Sequence, residues 1–407
     1  MMVNVIGLGY IGLPTALMLA SHGIEVVGTD CNRDKVAELL AGKITFKEQG
    51  LAELFAQAIE GGIQFSTSYQ QTDTYIVSVP TPYDKVSKKI DASYVEKAIS
   101  EVLDVCMDGA IVVIESTISP GTIDHVVRPM VDEAQKMGKQ VHLVHAPERI
   151  IPGNMVYELV HNNRTIGADE AEIGENIKQL YASFCQGEIV QTDIRTAEMT
   201  KVVENTFRAV NIAFANELSR ICRYDHMDVH EIIRICNMHP RVNIMNPGPG
   251  VGGHCISVDP WFLVGDYPQL ANMIGASMRV NASQPDFVLN RIYEIMKEKH
   301  IKSSEKVGLY GITYKENVDD YRDSPTLQLL ESQKRHLSEP LKCYDPFLEN
   351  QRIVDSQILD FDEFLDSVDM VVIMVKHQHL SERWKMLQGK VVLDCHHICP
   401  LSGIYTL

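Results

Sequence analysis

Short runs of apolar and β-branched residues alternate with longer amphipathic stretches through the first part of the chain. The runs lie at positions 3–6, 25–29, 75–79, 110–115 and 140–145, and a sixth near 188–191 could complete the set. Because strands separated by helix-length segments are typical of crossover units, this alternation predicts a parallel sheet covered by helices.

The pattern changes between positions 196 and 300, where strand-like runs disappear and Ala, Glu, Met and Arg recur with helical spacing. The segment 240–260 interrupts this section, because its prolines and glycines exclude a regular helix. Alternation returns at 307–310, 341–344, 370–375 and 390–393, which predicts a second parallel sheet. We therefore predict three domains, 1–195, 196–300 and 301–407.

Charge narrows the possible partners of the chain. Its 407 residues include 37 basic and 54 acidic side chains, a formal net charge of −17. Such an excess repels phosphate backbones and anionic lipid, so we expect no nucleic-acid partner. Any acidic substrate would need a local basic pocket. With 45% apolar and 22% charged residues, the composition is typical of a globular protein.

Apolar runs are far shorter than the roughly 20 residues that span a bilayer, so no membrane insertion is predicted. The start of the chain moves straight into a strand-like run without a basic secretory signal, and the expected compartment is the cytoplasm. The nine cysteines lack the paired spacing of a metal knuckle or a disulfide framework, so no metal site is predicted.

A glycine-rich turn follows the first predicted strand. Gly7, Gly9 and Gly12 stand between the strand 3–6 and a helix-like run over 14–22. In a dinucleotide site these glycines make the tight turn, let backbone approach the pyrophosphate, and let helix pack on strand. The next strand ends in Asp30, whose carboxylate would accept hydrogen bonds from the ribose and repel a 2′-phosphate, which favours NAD. A plain tight turn is the alternative, but strand, glycines, helix and acid stand in register.

Two further strand ends carry hydroxyls, Thr81 after the run 75–79 and Thr117 after the run 110–115. Ligands bind beyond the carboxyl ends of strands in open parallel sheets, although ordinary turn chemistry would explain each threonine alone. The predicted fold class is α/β, with two Rossmann-like parallel-sheet domains joined by an all-helical central domain.

The segment 247–255 combines four glycines with a terminal cysteine. Gly248, Gly250, Gly252 and Gly253 allow its backbone to approach a ligand closely, and Cys255 ends it shortly before Asp259. A cysteine is usually a small buried residue. A thiol on a glycine-rich loop near a carboxylate is more typical of an exposed nucleophile.

Polar side chains in the middle section share one helix face. Glu198, Lys201, Asn205 and Arg208 are separated by three, four and three positions. A solvated charged stripe is one interpretation; a buried helix lining a polar cavity is the other, favoured by the small apolar residues that follow. In the last domain, Lys315 and Arg322 flank a strand end and a helix start, which suits a phosphate-bearing ligand.

Three strings carry a family resemblance: His-Pro-Arg-Val-Asn-Ile at 239–244, Gly-Pro-Gly-Val-Gly-Gly-His-Cys at 248–255 and Val-Asp-Pro-Trp-Phe at 258–262. Over essentially its full length the chain resembles the UDP-glucose/GDP-mannose dehydrogenase family, and most of all the branch that acts on UDP-N-acetyl-D-mannosamine. UDP-glucose enzymes typically carry Phe-Gly-Gly-Ser-Cys-Phe-Pro-Lys-Asp at this loop, from which Val251, His254 and Val258 depart. The motif at Pro147-Glu148 also lacks the second glutamate of those enzymes.

The resemblance implies a four-electron oxidation of the sugar's primary alcohol to a carboxylate, with two NAD used in succession. Cys255 would trap the intermediate aldehyde as a thiohemiacetal, and oxidation would then give a thioester for water to hydrolyse. Lys201 would donate or accept the proton and favour the thiolate, while Asn205 helps to hold the oxyanion and a water. Asp259 would assist hydrolysis, and Glu148 would lie beside the nicotinamide.

The resemblance also implies further site residues and a partner. The implied catalytic set is Cys255, Lys201, Asn205, Asp259, Glu148 and Thr117. The implied cofactor contacts are Gly7, Gly9, Tyr10, Ile11, Gly12, Asp30, Lys35, Thr81, Thr117 and Arg322. The implied substrate contacts are Arg149, Ile150, Lys201, Asn205, Arg208, His239, Arg241, His254, Tyr314 and Lys315. A homodimer built on the helix that begins near 196, and a role in making a uronate donor for cell-surface polysaccharide, are also implied.

Alternatives remain at this point. A two-electron hydroxyacid dehydrogenase shares a dinucleotide domain followed by helices, but needs neither the Cys255 loop nor a second α/β domain. A non-catalytic NAD sensor would share the fold without the chemistry. Within the family, UDP-glucose, UDP-N-acetylglucosamine and UDP-N-acetylgalactosamine are alternative substrates.

Overall fold

The computed structural model describes residues 2–335 and 339–407. Their contacts divide the chain into two compact units, Met1–Glu204 and Asn205–Leu407. Each unit contains a sheet dominated by parallel strands, and a helical section lies between the two sheets in the chain. The predicted α/β fold class is thereby confirmed. The division at 195 and 300 stays a prediction.

The first unit is built on an eight-stranded sheet. Its strands are β1 (Met2–Ile6), β2 (Glu25–Thr29), β3 (Gln64–Ser66), β4 (Thr74–Val77), β5 (Ala110–Ile114), β6 (Val141–His145), β7 (Arg164–Ala168) and β8 (Ile189–Thr192). They lie in the order β3-β2-β1-β4-β5-β6-β7-β8, and the pair β6–β7 is antiparallel whereas the others are parallel. Because β1 lies between β2 and β4, the strand order reverses at β1, where a ligand-binding crevice forms in such sheets.

Helices cover both faces of this sheet. They are α1 (Gly12–Ser21), α2 (Arg33–Leu40), α3 (Leu51–Glu60), α4 (Ser93–Val105), α5 (Arg128–Lys136), α6 (Met155–His161) and α7 (Ala171–Ala182), with a π-helical turn at Ile123–Val127 before α5. Alternate residues of a strand enter opposite cores: Ile111 and Val113 pack in one, Val112 and Ile114 in the other. Burial on both faces explains why the strands are continuous apolar runs in the sequence.

A helix of 31 residues, α8 (Ile194–Tyr224), supplies the end of the first unit and the start of the second. It corresponds to the helix predicted to begin near 196. Four helices follow it in the second unit: α9 (Val229–Cys236), α10 (Asp259–Asp266), α11 (Asn272–Ala282) and α12 (Gln284–Glu298). The segment between α9 and α10 contains no helix among its described residues, as its prolines and glycines require.

The second unit ends in a five-stranded parallel sheet of order β10-β9-β11-β12-β13. Its strands are β9 (Val307–Tyr310), β10 (Lys342–Tyr344), β11 (Met370–Ile373), β12 (Val391–Asp394) and β13 (Tyr405–Thr406). The remaining helices are α13 (Pro325–Arg335), α14 (Phe361–Ser367) and α15 (Gln378–Ser381), and 3₁₀ turns lie at Ser304–Lys306 and Trp384–Leu387. Two apolar clusters pack on this sheet, and alternate residues of β11 enter different ones.

Three strands have no counterpart in the sequence prediction. β3 and β13 have only three and two residues, too few to show a pattern. β7 begins with Arg164, a residue that sequence analysis does not place in a core. Among the described helices, none is long and apolar enough to cross a membrane.

Candidate active site

The three glycines after β1 have different structural roles. A Cβ on Gly7, whose φ is +89°, would lie 2.5 Å from the carbonyl oxygen of Ser78, and a Cβ on Gly12 would lie 1.9 Å from that of Gly7. Both positions therefore need glycine for the fold itself. A Cβ on Gly9 would meet nothing within 4 Å, so its backbone borders open space next to the start of α1. That cradle fits the pyrophosphate of a dinucleotide.

Asp30 ties the glycine turn to the start of α2. Its Oδ2 accepts hydrogen bonds from the Leu8 amide at 2.9 Å and from Lys35 Nζ at 2.7 Å. Its Oδ1 accepts the Asn32 amide at 2.9 Å, and the Asn32 side chain caps α2. The predicted cofactor residues Asp30 and Lys35 therefore form an ion pair at the edge of the cradle. A carboxylate has further lone pairs for ribose hydroxyls.

The segment that follows β5 is held from two sides. Thr81 Oγ1 donates a hydrogen bond of 2.6 Å to the Thr117 carbonyl, which brings together two predicted site residues. Glu198 accepts the amides of Gly121 and Ile123 at 2.6 and 2.9 Å. Burial raises the pKa of Glu198 to about 7, although these amides act in the opposite direction. Glu198 is thus a structural anchor for the loop that presents Thr117.

The polar face of α8 is buried rather than solvated. Glu198, Lys201 and Asn205 are all buried, and Arg208 is half-buried. In the second unit, Asn205 Nδ2 donates a hydrogen bond of 2.6 Å to Oδ2 of Asp259, which is itself buried at the start of α10. The interpretation of this face as a solvated charged stripe is therefore wrong for Glu198, Lys201 and Asn205.

Cys255 is an exposed residue on the glycine-rich loop, and its carbonyl accepts the Asp259 amide at 2.8 Å. Cys255 thus stands one helical turn before the N-terminus of α10. All nine cysteines lie in described residues, and none forms a disulfide. Five of them are buried, whereas Cys255 is not, which is the placement that a nucleophile requires.

Glycine is required in the Cys255 loop where it meets the following sheet domain. A Cβ on Gly252 would lie 2.6 Å from the Asp323 carbonyl oxygen, and a Cβ on Gly253 would lie 2.8 Å from the Tyr314 ring. Gly253 has a φ of +80°, which also favours glycine. Its amide donates to the Arg322 carbonyl at 3.0 Å. The loop is therefore fitted closely against residues 314–323.

The beginning of the loop is held by a buried polar network that the sequence analysis did not identify. Gly248 donates its amide to Asn216 Oδ1 and accepts Gln284 Nε2 at its carbonyl, both at 3.0 Å. Asn216 also donates to Asn281, and Arg220 donates to Gln284. Asn216, Asn281 and Gln284 are all buried, so their hydrogen bonds fix one conformation of Gly248.

Near β9, two buried acids position the predicted ligand-binding segment. Arg322 makes two side-chain hydrogen bonds, of 2.8 and 2.6 Å, to the buried carboxylate of Asp320. Asp345 Oδ2 accepts the amides of Ile312 and Thr313 at 2.6 and 2.9 Å. Tyr314 and Lys315, which follow directly, are half-buried. Their backbone is thus placed by Asp345.

His377 completes this arrangement. Its Nε2 lies 3.3 Å from Asp345 Oδ2, and its Nδ1 accepts the Asn317 amide at 3.0 Å. Burial acts to raise the pKa of Asp345, but the hydrogen bonds from His377 and from the Thr313 and Phe347 amides outweigh it, so the pKa lies below its ordinary value. Sequence analysis missed both residues. The signal for Asp345 was available, because it follows β10 as Asp30 follows β2.

The segment after β6 supplies Glu148, Arg149 and Ile150. Glu148 is buried and lies 2.5 Å from Arg164 Nη2. Arg149 is paired with Glu204 at 3.1 Å and donates to Thr165 at 2.7 Å. The side chain of Ile150 packs in the first unit's core. Its predicted contact with substrate stays a prediction.

The other predicted site residues are at or near the surface. His239, Arg241 and His254 are exposed, and the Arg241 amide donates to His239 Nδ1 at 3.3 Å. Tyr10 lies against Phe46, with ring centroids 4.4 Å apart. Contacts of these residues with ligand also stay predictions.

Family models match nearly the whole chain. The models describe the NAD binding domain of the UDP-glucose/GDP-mannose dehydrogenase family at residues 1–185, its central domain at 195–283 and its UDP binding domain at 308–400. The first match confirms the prediction of NAD as cofactor.

Individual relatives show the same similarity. The chain is 39% identical to UDP-N-acetyl-D-mannosamine dehydrogenase of Methanococcus maripaludis, over 98% of this chain and 93% of that one. It is 38% identical to the enzyme of the same name from Escherichia coli, over 99% of each. The structure of the UDP-N-acetyl-mannosamine dehydrogenase of Staphylococcus aureus matches with a TM-score of 0.89 and 36% identity, covering 100% of this chain and 98% of that one.

Proposed function

Because the chain belongs to the UDP-glucose/GDP-mannose dehydrogenase family of NAD-dependent nucleotide-sugar dehydrogenases, we propose that it oxidises UDP-N-acetyl-D-mannosamine to UDP-N-acetyl-D-mannosaminuronate. Relatives that carry this substrate in their names match nearly the full length. The observation that carries the covalent chemistry is the exposure of Cys255 on a tightly held glycine loop. The expected compartment is the cytoplasm, and the product would serve as a donor for cell-surface polysaccharide.

The proposed reaction removes two hydrides from C6 of the sugar. NAD supplies the hydride acceptor when bound, one molecule for each oxidation. After the first oxidation, the Cys255 thiolate adds to the aldehyde carbon and the oxygen takes a proton, which gives a thiohemiacetal. The second oxidation leaves a thioester. Water then adds to the thioester carbon and the C–S bond breaks, which releases the carboxylate and restores the thiol.

Buried polar groups would transfer protons and stabilise the charge that develops during the reaction. Lys201 would exchange the proton of the C6 hydroxyl, and Lys201 with Asn205 would stabilise the oxyanion. The hydrogen bond from Asn205 to Asp259 supports this role, because it fixes the amide next to the start of α10. Asp259 would assist hydrolysis of the thioester. Glu148 and Thr117 would lie beside the nicotinamide.

The remaining polar residues would recognise the sugar nucleotide. Arg149, Arg208, His239, Arg241 and His254 bring cationic or polar groups, and Tyr314 and Lys315 come from the segment that Asp345 places. The match of residues 308–400 to a UDP binding domain supports uridine diphosphate as the shared part of the substrate. Ile150 would contribute backbone groups, since its side chain is in the core.

A homodimer through α8 is part of the proposal. Phe207, Phe214 and Ile221 are large, exposed and seven positions apart, and Val203 and Tyr224 are exposed on the flanking turns. Apolar residues repeated at this spacing along a long helix form the seam of paired helices. A second copy of the same helix would cover the seam on both chains at once.

An assay of sugar nucleotides tests the substrate and the stoichiometry together. We expect UDP-N-acetyl-D-mannosamine to give the highest kcat/KM, with two NADH formed per sugar. A preference for UDP-glucose or for a UDP-linked N-acetylglucosamine or galactosamine would refute the substrate, and one NADH per sugar would favour the two-electron hydroxyacid-type reaction. Cys255→Ala should abolish uronate formation, whereas the matched thiol control Cys236→Ala, at the end of α9, should retain it.

A further inference from the structure

A second group of buried charges lies within the first unit. Glu115 follows β5, Glu148 follows β6, and Arg164 begins β7. All three side chains are buried, and Arg164 Nη2 lies 2.5 Å from Glu148 Oε2. No role was predicted for Glu115 or Arg164 from the sequence. Both lie beside the predicted catalytic carboxylate of Glu148, so their contribution to it is worth deriving.

The Arg164 guanidinium is fixed by aromatic rings as well as by charge. Its central carbon lies 4.5 Å from the ring centroid of Tyr181 and 5.2 Å from that of Phe184. Glu148 is held at its other oxygen, Oε1, by the Arg149 amide at 2.5 Å. The carboxylate of Glu148 is therefore held between a backbone amide and the guanidinium of Arg164, with which it forms an ion pair.

Glu115 has different partners. Its carboxyl accepts hydrogen bonds from the hydroxyls of Thr15, Ser78 and Tyr181, at 3.3, 2.5 and 3.0 Å. A hydroxyl can donate to a carboxylate or accept from a protonated carboxyl. These partners thus accommodate either state of Glu115 but bring no compensating charge.

The charges in this group do not balance if both carboxyls are ionised. Among the described residues, Arg164 pairs with Glu148 and no cationic side chain pairs with Glu115, so two ionised carboxylates would leave one buried negative charge uncompensated. Burial, followed by the charge of Glu148, raises the pKa of Glu115 to about 7. The arrangement of lowest free energy therefore has the proton on Glu115 and the ion pair between Arg164 and Glu148.

We propose that Arg164 is a positioning residue that orients the Glu148 carboxylate and balances its charge, and that Glu115 is the neutral acid that leaves Arg164 to Glu148 alone. The inference rests on the proposed function, which places Glu148 beside the nicotinamide. Removing the Arg164 guanidinium should then slow turnover without weakening substrate binding.

Steady-state kinetics test the role of Arg164. Arg164→Met should lower kcat about tenfold or more, because Glu148 loses the guanidinium that orients it and balances its charge. KM for the sugar nucleotide should change less than about twofold, since Arg164 is buried in the core of the first unit. Arg164→Lys keeps the charge and should restore part of the kcat, and it also serves as the test variant if Arg164→Met does not fold.

Two controls separate this effect from a general structural one. Arg128→Met removes a guanidinium that pairs with Asp124 and Asp169 in the same unit, and should leave kcat close to the wild-type value. Glu115→Gln keeps a neutral group at position 115 and should also leave kcat close to that value. An unchanged kcat in both Arg164 variants, or an equal loss in Arg128→Met, would overturn the proposal.

Infrared spectroscopy tests the proton on Glu115 without turnover. In the wild type near pH 6, the C=O stretch of a protonated carboxyl should be present, lost above about pH 8, and absent from Glu115→Gln at both values. Glu198→Gln is the matched control, because it removes another buried carboxyl with a raised pKa and should leave the Glu115 band. Absence of a Glu115 band would refute the proposal even if the enzyme is active, whereas its presence with no activity on any UDP-sugar would sink only the proposed function.

Discussion

Asn205 donates its side-chain amide to Asp259 across 2.6 Å, and both residues are buried. The pair joins the long helix α8 to the start of α10, four positions after Cys255. An amide is suited to this place because it can give a hydrogen bond to a carboxylate without adding charge. Substitution of Asn205 therefore tests the electrostatics around the candidate nucleophile.

Asn205→Asp should be more harmful than Asn205→Ala, although it preserves the shape of the side chain. Two buried carboxylates in hydrogen-bond contact repel unless they share a proton, so we expect a loss of about 3 kcal/mol in the free energy of unfolding near pH 8. The loss should shrink in acid, where the proton is supplied. Urea denaturation of both variants at two pH values measures this, and equal stabilities near pH 8 would contradict it.

Glu115→Gln should change how stability depends on pH. Folding raises the pKa of Glu115 from 4.5 to about 7, so the folded chain holds this proton more tightly than the unfolded chain does. That contribution is complete below the unfolded value and is lost as pH rises through about 7. Between about pH 4.5 and about pH 8, the wild type should lose on the order of 3 kcal/mol that the variant does not lose.

The comparison needs only the difference between the two proteins. Other groups, Glu198 among them, titrate in both chains and cancel. Denaturant titrations across this window give the two curves, and parallel curves would mean that Glu115 does not carry the proton.

Replacing Asn216 should loosen the Cys255 loop from a distance. Asn216→Leu removes the partner of the Gly248 amide and of Asn281 Oδ1, which costs about 1–3 kcal/mol in unfolding free energy. The rate at which iodoacetamide alkylates Cys255 should change several-fold, because the loop samples more conformations. Asn216→Asp keeps the acceptor for Gly248 and should recover part of the wild-type rate. An unaltered rate in Asn216→Leu would show that Gly248 is held by other contacts.

Gly12→Ala should impair folding, whereas Gly9→Ala should impair cofactor binding. Gly12→Ala places a methyl 1.9 Å from the Gly7 carbonyl oxygen and should prevent or severely weaken folding. Gly9→Ala meets no atom within 4 Å, so its thermal stability should stay close to that of the wild type. Its methyl would stand where the pyrophosphate approaches, and NAD affinity should fall about tenfold or more, about 1.4 kcal/mol. Calorimetric titration with NAD measures this affinity. An unchanged affinity would show that the pyrophosphate does not bind next to Gly9.

Phe214→Glu should separate the proposed dimer. A charge in the middle of an apolar seam must be desolvated for the helices to pair, so sedimentation should show a monomer where the wild type is dimeric. Met137→Glu, which adds the same charge at an exposed apolar position outside α8, is the control and should stay dimeric. A dimer that persists in Phe214→Glu would place the interface elsewhere.

The sequence predicted those parts of the molecule whose signals are local. The glycine turn, α1 and Asp30 lie within a single crossover unit, so strand, turn, helix and acid could be recognised together. The Cys255 loop was recognisable for the same reason. The buried face of α8 could be recognised only as a choice between two interpretations, because spacing alone does not say what a helix packs against.

The rest depends on contacts between distant positions. Asp345 and His377 stand in hydrogen-bond contact although they are separated by β11, and Glu115, Glu148 and Arg164 meet only because β5, β6 and β7 are neighbours in one sheet. Strand β7 itself went unpredicted, since an arginine stands where a core residue is expected. The charge of Arg164 is explained by its ion pair with Glu148, which the sequence alone does not reveal.

The Tyr314 ring occupies the volume that any side chain at position 253 would need, and a carbonyl does the same at 252. Libraries that randomise the whole loop would therefore consist mostly of misfolded chains. Libraries restricted to Val251 and His254, with Gly252 and Gly253 kept, would vary the loop that carries Cys255 on an intact scaffold.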